Sequence, residues 1–392
     1  MLVPKLRFKE FKNEWNEITL KKLLSFKNGI NGDKDSYGYG IKYISVGDIL
    51  NNTYITYDKI KGLIDINDKT LKENSVEYGD MVFQRSSETF NDIGQANVYL
   101  DKKQIATFGG FVIRGKKIGN YNPLFFNYLL KSPFNRKKVI VKGAGAQHYN
   151  ISQEELEKIK VNFTVEKEQV KIANLFYSLD KKIELQQRKI EALKIYKKGL
   201  IQKMYQKNYN NKIKMEKILI QKSIRNTNDE NYNVYSVSNK DGFILQTEQF
   251  KDRIVASEDT KNYKVVEKDD FAYNPARINV GSIARMKKDT KGIISPMYIC
   301  FKCNEKILPE YLEYFFESSK FTYEMNKRLE GSVRMCLSYE SMLNIPIELP
   351  NKNEQEEISK MLNNLSDKIK LEEEKWIKLK KLKKGLLQKM FI

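Results

Sequence analysis

The chain has 392 residues, enough for two or three domains with a core each. Seventy Lys and Arg against fifty Asp and Glu leave a formal charge of +20, which favours a polyanionic partner, nucleic acid ahead of an acidic membrane surface, although a Lys-rich and Asn-rich chain also reflects a biased genome. Three cysteines (Cys300, Cys303, Cys336) exclude a disulfide framework, and no run of about 18 apolar residues or apolar leader is found, so a cytoplasmic protein off the membrane is expected.

In chain order, residues 1 to 20 scatter Leu6, Phe8, Phe11, Trp15, Ile18 and Leu20 among charges and read as an irregular lead-in. Lys42 to Val46, Asp80 to Phe83, Val98 to Leu100 and Phe111 to Ile113 read as short strands. Pro123 follows Asn122 at a first-turn position and opens an apolar helix that stops before Pro133. Ser152 and Glu155 have capping-box spacing, and Ile159, Val161 and Phe163 alternate as a strand.

Glu168 to Tyr205 then reads as a long helix, with apolar residues at Ile172, Leu175, Phe176, Leu179, Ile183, Ile190, Leu193, Leu200 and Met204. Glu354 to Phe391 repeats it at an offset of 186, with Ile358, Met361, Leu362, Leu365, Ile369, Trp376, Leu379, Leu386 and Met390. Gln186/Glu372 and Lys197/Lys383 break both seams at the same places, which points to one defined helix pairing; a single such helix would read as an ordinary dimerisation arm, but two related arms in one chain favour antiparallel pairing within it. At 1.5 Å per residue, about 38 residues span roughly 57 Å, a length suited to a spacer. Gly199 and Gly385 are expected either to allow a close approach to a helix or partner, or to mark frayed ends.

The duplication extends beyond the helices. Pro309 repeats Pro123, Gly331 repeats Gly145, Ser338 repeats Ser152, and Asp270 to Tyr273 echoes Asp80 to Phe83. The expected partition is a globule over 1–163, a helix over 164–207, a second globule over 208–350 and a second helix over 351–392. The globules diverge between about 46 and 110 and between about 237 and 297, as scaffolds that touch different things would.

Catalytic motifs fail on inspection. Gly110 to Lys117 has bulky residues where a phosphate loop needs small ones and lacks the hydroxyl after its Lys, so it reads as a strand and turn. Asn274-Pro275-Ala276-Arg277 lacks the second proline and the aromatic of an amino-methyltransferase motif, and Cys300 and Cys303 face opposite sides of a strand, so no metal is expected. His148 is the only histidine, which leaves little for general-base chemistry. What survives is recognition. Loops carrying Arg85, Ser86, Ser87, Gln147 and His148 in the first globule, and Asn274, Arg277, Asn279, Ser332 and Arg334 in the second, hold side chains that read bases or anchor phosphates, though any solvated loop contains such residues.

The opening Pro4 to Phe11 with Glu14-Trp15, the paired helix starts Glu168-Gln169 and Glu354-Gln355, and the paired ends Lys198 to Met204 and Lys384 to Met390 together resemble the specificity (S) subunit of Type I restriction-modification systems. The resemblance covers essentially the whole chain. It implies an α+β fold: two target-recognition globules of mixed α/β separated by two long helices in an antiparallel coiled coil, with an internal pseudo-two-fold repeat. It further implies a non-catalytic subunit of an adenine DNA methyltransferase and restriction endonuclease, reading a bipartite target in double-stranded DNA. Two modification subunits would supply S-adenosylmethionine chemistry, and restriction subunits ATP- and magnesium-dependent translocation and cleavage. The helices, through Ile172, Leu179, Ile183, Leu193, Gly199, Leu200, Ile358, Leu365, Ile369, Leu379, Gly385 and Leu386, would pair with each other and hold these partners. The competing expectations are a coiled-coil adaptor with only nonspecific nucleic-acid binding and a stand-alone methyltransferase or nuclease.

Overall fold

Two long helices, Glu166–Gln206 and Lys352–Met390, run through a chain that otherwise consists of short strands and short helices. The computed structural model describes residues 3–145, 148–249, 259–331 and 334–392. It divides into two compact units, the first made of 1–187 with 374–392 and the second of 188–373. The boundaries fall inside the long helices instead of at their ends, because each helix buries one half in each unit; the four-part partition by element type is not the partition by packing.

In the first unit the main sheet is antiparallel, in the order Leu24–Asn28, Val112–Lys117, Met81–Gln84, Ala96–Val98. A second sheet orders Leu63–Ile64, Tyr37–Ile44 and Thr107–Phe108. Pro123–Lys131 is a helix whose first-turn N–H of Phe125 is capped by Asn122. Its aromatic face, Phe125 and Phe126, meets Trp15 and Phe163 while Tyr128 meets Phe176, and Phe391 completes the cluster against Trp15, Phe125 and Phe176. Each such side chain taken fully from water contributes on the order of 1.5–3 kcal/mol, so the second helix's last turn is part of this core.

Two expectations fail here. The lead-in is not wholly irregular: Asn16–Thr19 is a strand paired antiparallel with Lys160–Phe163. Ser45 and Val46 do not continue a strand, because Ser45 caps a helix over Val46–Asn51 through a reciprocal bond with Asp48.

The second unit repeats the framework. Its main sheet runs Leu219–Lys222, Ile299–Cys303, Phe271–Tyr273, Ile283–Arg285, again antiparallel throughout. Lys212–Lys214 pairs with Pro346–Glu348 as Asn16–Thr19 pairs with Lys160–Phe163. A further four-stranded sheet orders Gly242–Leu245, Asn233–Ser238, Gly292–Ile294 and Lys264–Val266. Cys300 is buried and Cys303 partly so, and burial pushes their thiols up to about 12 and about 11. Among the described residues no group of His, Cys, Asp and Glu is arranged to hold a metal.

Within each unit the two helix halves pack antiparallel. In the first, Lys383 donates to Asp180 and Phe391 stacks near Phe176. In the second, Lys189 pairs with Glu372 at 3.1 Å and Lys207 with Glu354 at 3.0 Å. Ile172, Leu179, Ile190, Ile358, Leu362, Leu365 and Ile369 are buried on the seam, while Ile183, Leu193, Leu379 and Leu386 are partly covered. The seam differs from the heptad reading in three respects. Met361 lies off it, exposed. Ile201 and Tyr205 are buried where Leu200 and Met204 are only partly covered. Gly199 and Gly385 allow no close approach within the chain, since a methyl group added at either would meet nothing within 4 Å.

Candidate nucleic-acid interface

The strand of each main sheet that comes second along the chain ends in a polar turn, and the same scaffold holds both turns. In the first unit, Met81–Gln84 leads into Arg85, and Ile151 N–H donates to Arg85 O at 3.0 Å. In the second, Phe271–Tyr273 leads into Asn274-Pro275, and Leu337 N–H donates to Pro275 O at 3.1 Å. Each turn is thus tied to the end of a loop that begins at a glycine of positive φ, Gly145 at 138° and Gly331 at 116°. A Cβ there would lie 2.0 Å from His148 O or 2.4 Å from Arg334 O, so both loops require glycine for the same reason.

On this frame the first unit gathers Arg85, Ser86 and His148. Ser86–Ser87 pairs with Tyr149–Asn150, and Ser86 Oγ donates to Asn150 Oδ1 at 2.5 Å. Arg85 Nη1 reaches Gly110 O at 3.3 Å, and the exposed His148 sits two residues before Asn150, whose amide donates to its carbonyl. Ser87 belongs to the turn instead of the surface: it is buried, and its hydroxyl accepts from Thr89 N–H at 3.1 Å. Phe111, 68% exposed, was not anticipated at this place; its carbonyl accepts from Arg85 N–H. The Gly109-Gly110 pair before it was the available signal. Arg136 braces the face from below, donating to the carbonyls of Asn91, Ile93 and Gly94, and burial lowers its pKa to about 10.

The second unit is concave at the equivalent place. A cavity of about 630 Å³ lies between the Asn233–Ser238 strand and the Asn274 turn, and Asn274, Arg277 and Arg334 all line it. Asn274 shapes the turn, its Oδ1 accepting from Ala276 N–H at 3.1 Å. Arg277 and Arg334 are exposed, whereas Asn279, also exposed, lies outside the cavity lining. Gln147 and Ser332 lie outside the described residues. Arg285, by contrast, is buried and held by Asp269, Glu310 and Glu313, a role in packing.

The profile of the Type I restriction modification DNA specificity domain matches residues 12–194 and again 211–381, one copy in each half of the chain. The chain belongs to that family. A Methanocaldococcus jannaschii protein described as the type I restriction enzyme MjaX specificity subunit is 23% identical over 417 residues, covering 96% of this chain and 93% of its own. The fold is similar to the S subunit of a Type I restriction-modification system from M. genitalium, with a TM-score of 0.57 at 16% identity over 100% of this chain and 99% of that one. It is also similar to a chain from a structure concerned with complex assembly and conformational transition of the type I R-M system, with a TM-score of 0.58 at 11% identity over 95% and 96%. The specificity-domain fold therefore occurs twice here, and DNA recognition is the family's task. Among the described residues no helix is long and apolar enough to cross a membrane.

Proposed function

We propose that this specificity subunit reads a bipartite sequence in double-stranded DNA, one half-site per unit, and leaves bond making to other polypeptides. The observation that carries the reading is the repeated turn-and-loop scaffold carrying unlike side chains. Arg85 and His148 in one unit are replaced by Pro275 and Arg334 in the other. Arg pairs bidentately with guanine and amides with adenine, so different residues on one frame imply different bases. The two long helices serve as a stiff spacer, since a flexible link would admit several separations.

The helices also act as the scaffold for two modification subunits and for restriction subunits. In the first unit Leu185 and Leu382 are more than half exposed and Gly385 is open, and in the second Leu371 and Tyr196 are likewise exposed and Gly199 is open. These positions correspond at the 186-residue offset, as two copies of one partner would need. S-adenosylmethionine, ATP and magnesium belong, in this reading, to those partners. The test is to map DNA methylation in cells with and without the chain, and to compete specific against random duplex at stated salt. A two-part methylated motif that vanishes with the chain is expected; equal competition by both duplexes would favour a nonspecific adaptor.

A further inference from the structure

The cavity of the second unit has a shape and a floor that its place on a duplex-reading surface does not by itself explain. A groove is read by a convex element that enters it, and a concave cleft presents nothing to enter with. The floor holds two largely buried residues with amide side chains. Gln246 is 9% exposed, lines the cavity, and has no side-chain hydrogen-bond partner among the described residues. Asn274 is equally buried, and its Nδ2 faces only the Met297 sulfur at 4.0 Å. Both residues line the cavity, where a ligand or water can complete their hydrogen bonding. Tyr298 forms part of the apolar wall, and Arg277 and Arg334 stand on the lining as the available cations.

Polar floor, aromatic wall and cationic rim are the three parts that hold a single nucleotide taken out of the base stack. The volume lies within the range of small-ligand pockets. At the related place in the first unit the chain is differently built. Ser45 is engaged with Asp48 in capping a helix, and Gln84, at the position of Asn274, donates to Ser86 O at 2.9 Å.

Resting on the reading of the chain as a DNA specificity subunit, we infer that the second unit captures one displaced nucleotide of its half-site in this cleft. Gln246 and Asn274 would read the base edge, and Arg277 would hold the flanking phosphate. No bond is made or broken. The energy of unstacking, a few kcal/mol, falls least at a mismatched or unpaired base, so a duplex with an unpaired base at that position should bind more tightly.

The test uses the purified full chain, without added subunits, and target duplexes carrying 2-aminopurine at each position of the second half-site in turn. Increased fluorescence at one position is expected, together with about tenfold weaker binding by Gln246→Ala, a loss equivalent to one good hydrogen bond. Gln246→Glu should alter which base is preferred there. Specific binding with flat fluorescence at every position would overturn the inference and leave the recognition reading intact, as would a Gln246→Ala chain that binds and discriminates like the parent. Loss of all sequence preference in the parent chain would overturn both.

Discussion

Gln169 and Gln355, 186 residues apart, make the same two hydrogen bonds. Gln169 Oε1 accepts from Asn122 N–H at 2.9 Å while its Nε2 donates to Thr164 O at 2.7 Å; Gln355 Oε1 accepts from Leu308 N–H at 2.8 Å while its Nε2 donates to Pro350 O at 2.9 Å. Each locks the start of a long helix to the start of the short Pro-led helix beside it. Replacing either by Leu leaves a backbone N–H and a carbonyl without these partners, at a cost of about 1–3 kcal/mol. Denaturant unfolding of Gln169→Leu and Gln355→Leu should show a loss in each, and the double variant their sum, because the two sites share no partners. A loss in only one would break the equivalence.

Lys131 predicts a pH dependence. It donates to Thr53 O at 2.8 Å, and burial of its ammonium, with the neighbouring Lys383 charge adding to the effect and Asp180 opposing it, pushes its pKa down to about 7. An unfolded Lys titrates near about 10.4, so between about pH 7 and pH 10.4 the unfolded chain holds more protons and stability rises with pH. The penalty for the charged form is complete below pH 7. A Lys131→Met chain should therefore gain most over the parent at pH 6 and progressively less toward pH 10. A difference that stays constant across urea titrations at those two values would rule this out.

Gly199 and Gly385 separate stability from docking. Because an added methyl group meets nothing at either position, Gly199→Ala and Gly385→Ala should each stabilise the isolated chain by about 0.5–1 kcal/mol through helix propensity. Leu at the same positions should be tolerated by the chain yet reduce recovery of a co-purified modification subunit. Full recovery would remove the glycines from the partner surface.

Arg85 and Arg334 should behave as readers of different half-sites. Arg334→Ala is expected to relax one position in the second half of the methylated motif, worth about 1–3 kcal/mol of discrimination, and Arg85→Ala one in the first. If either contacts phosphate only, binding weakens evenly across sequences and the salt slope falls by about one. Sequencing of methylated sites with each variant distinguishes the outcomes.

Spacing is the remaining test. Because the helix halves pair antiparallel, seven residues must be inserted in both helices, after Gln187 and after Glu373, to keep the seam in register. At 1.5 Å per residue this adds about 10 Å, or about three base steps of 3.4 Å. The gap between the methylated half-sites should grow by that amount, and an unchanged gap would deny the helices their spacer role.

The long helices were legible because an apolar period held over some forty residues and then recurred. The final turn of the first was not, whereas Met390 of the second is buried as expected. Over four heptads a helix of 3.6 residues per turn drifts about 80° from a 3.5 repeat, close to the one-residue step that brings Ile201 and Tyr205 inward in place of Leu200 and Met204. The Asn16–Thr19 strand was hidden because its partner lies more than 140 residues away and imposes pairing that local pattern does not carry. Among candidate readers, Arg277 and Arg334 could be picked by residue type and loop context, but Gln246 could not. It becomes notable only because residues from separate segments close a cavity around it.

Phe391 has a consequence for how the protein is made. It belongs to the aromatic cluster built by Trp15, Phe125 and Phe176, so the first unit stays open until residue 391 has left the ribosome, whereas the other unit is one uninterrupted stretch and closes earlier. A nascent or prematurely stopped polypeptide would thus hold a finished second reader and an unfinished first one, with Trp15 and Phe176 short of one ring partner and more open to chaperones or proteases.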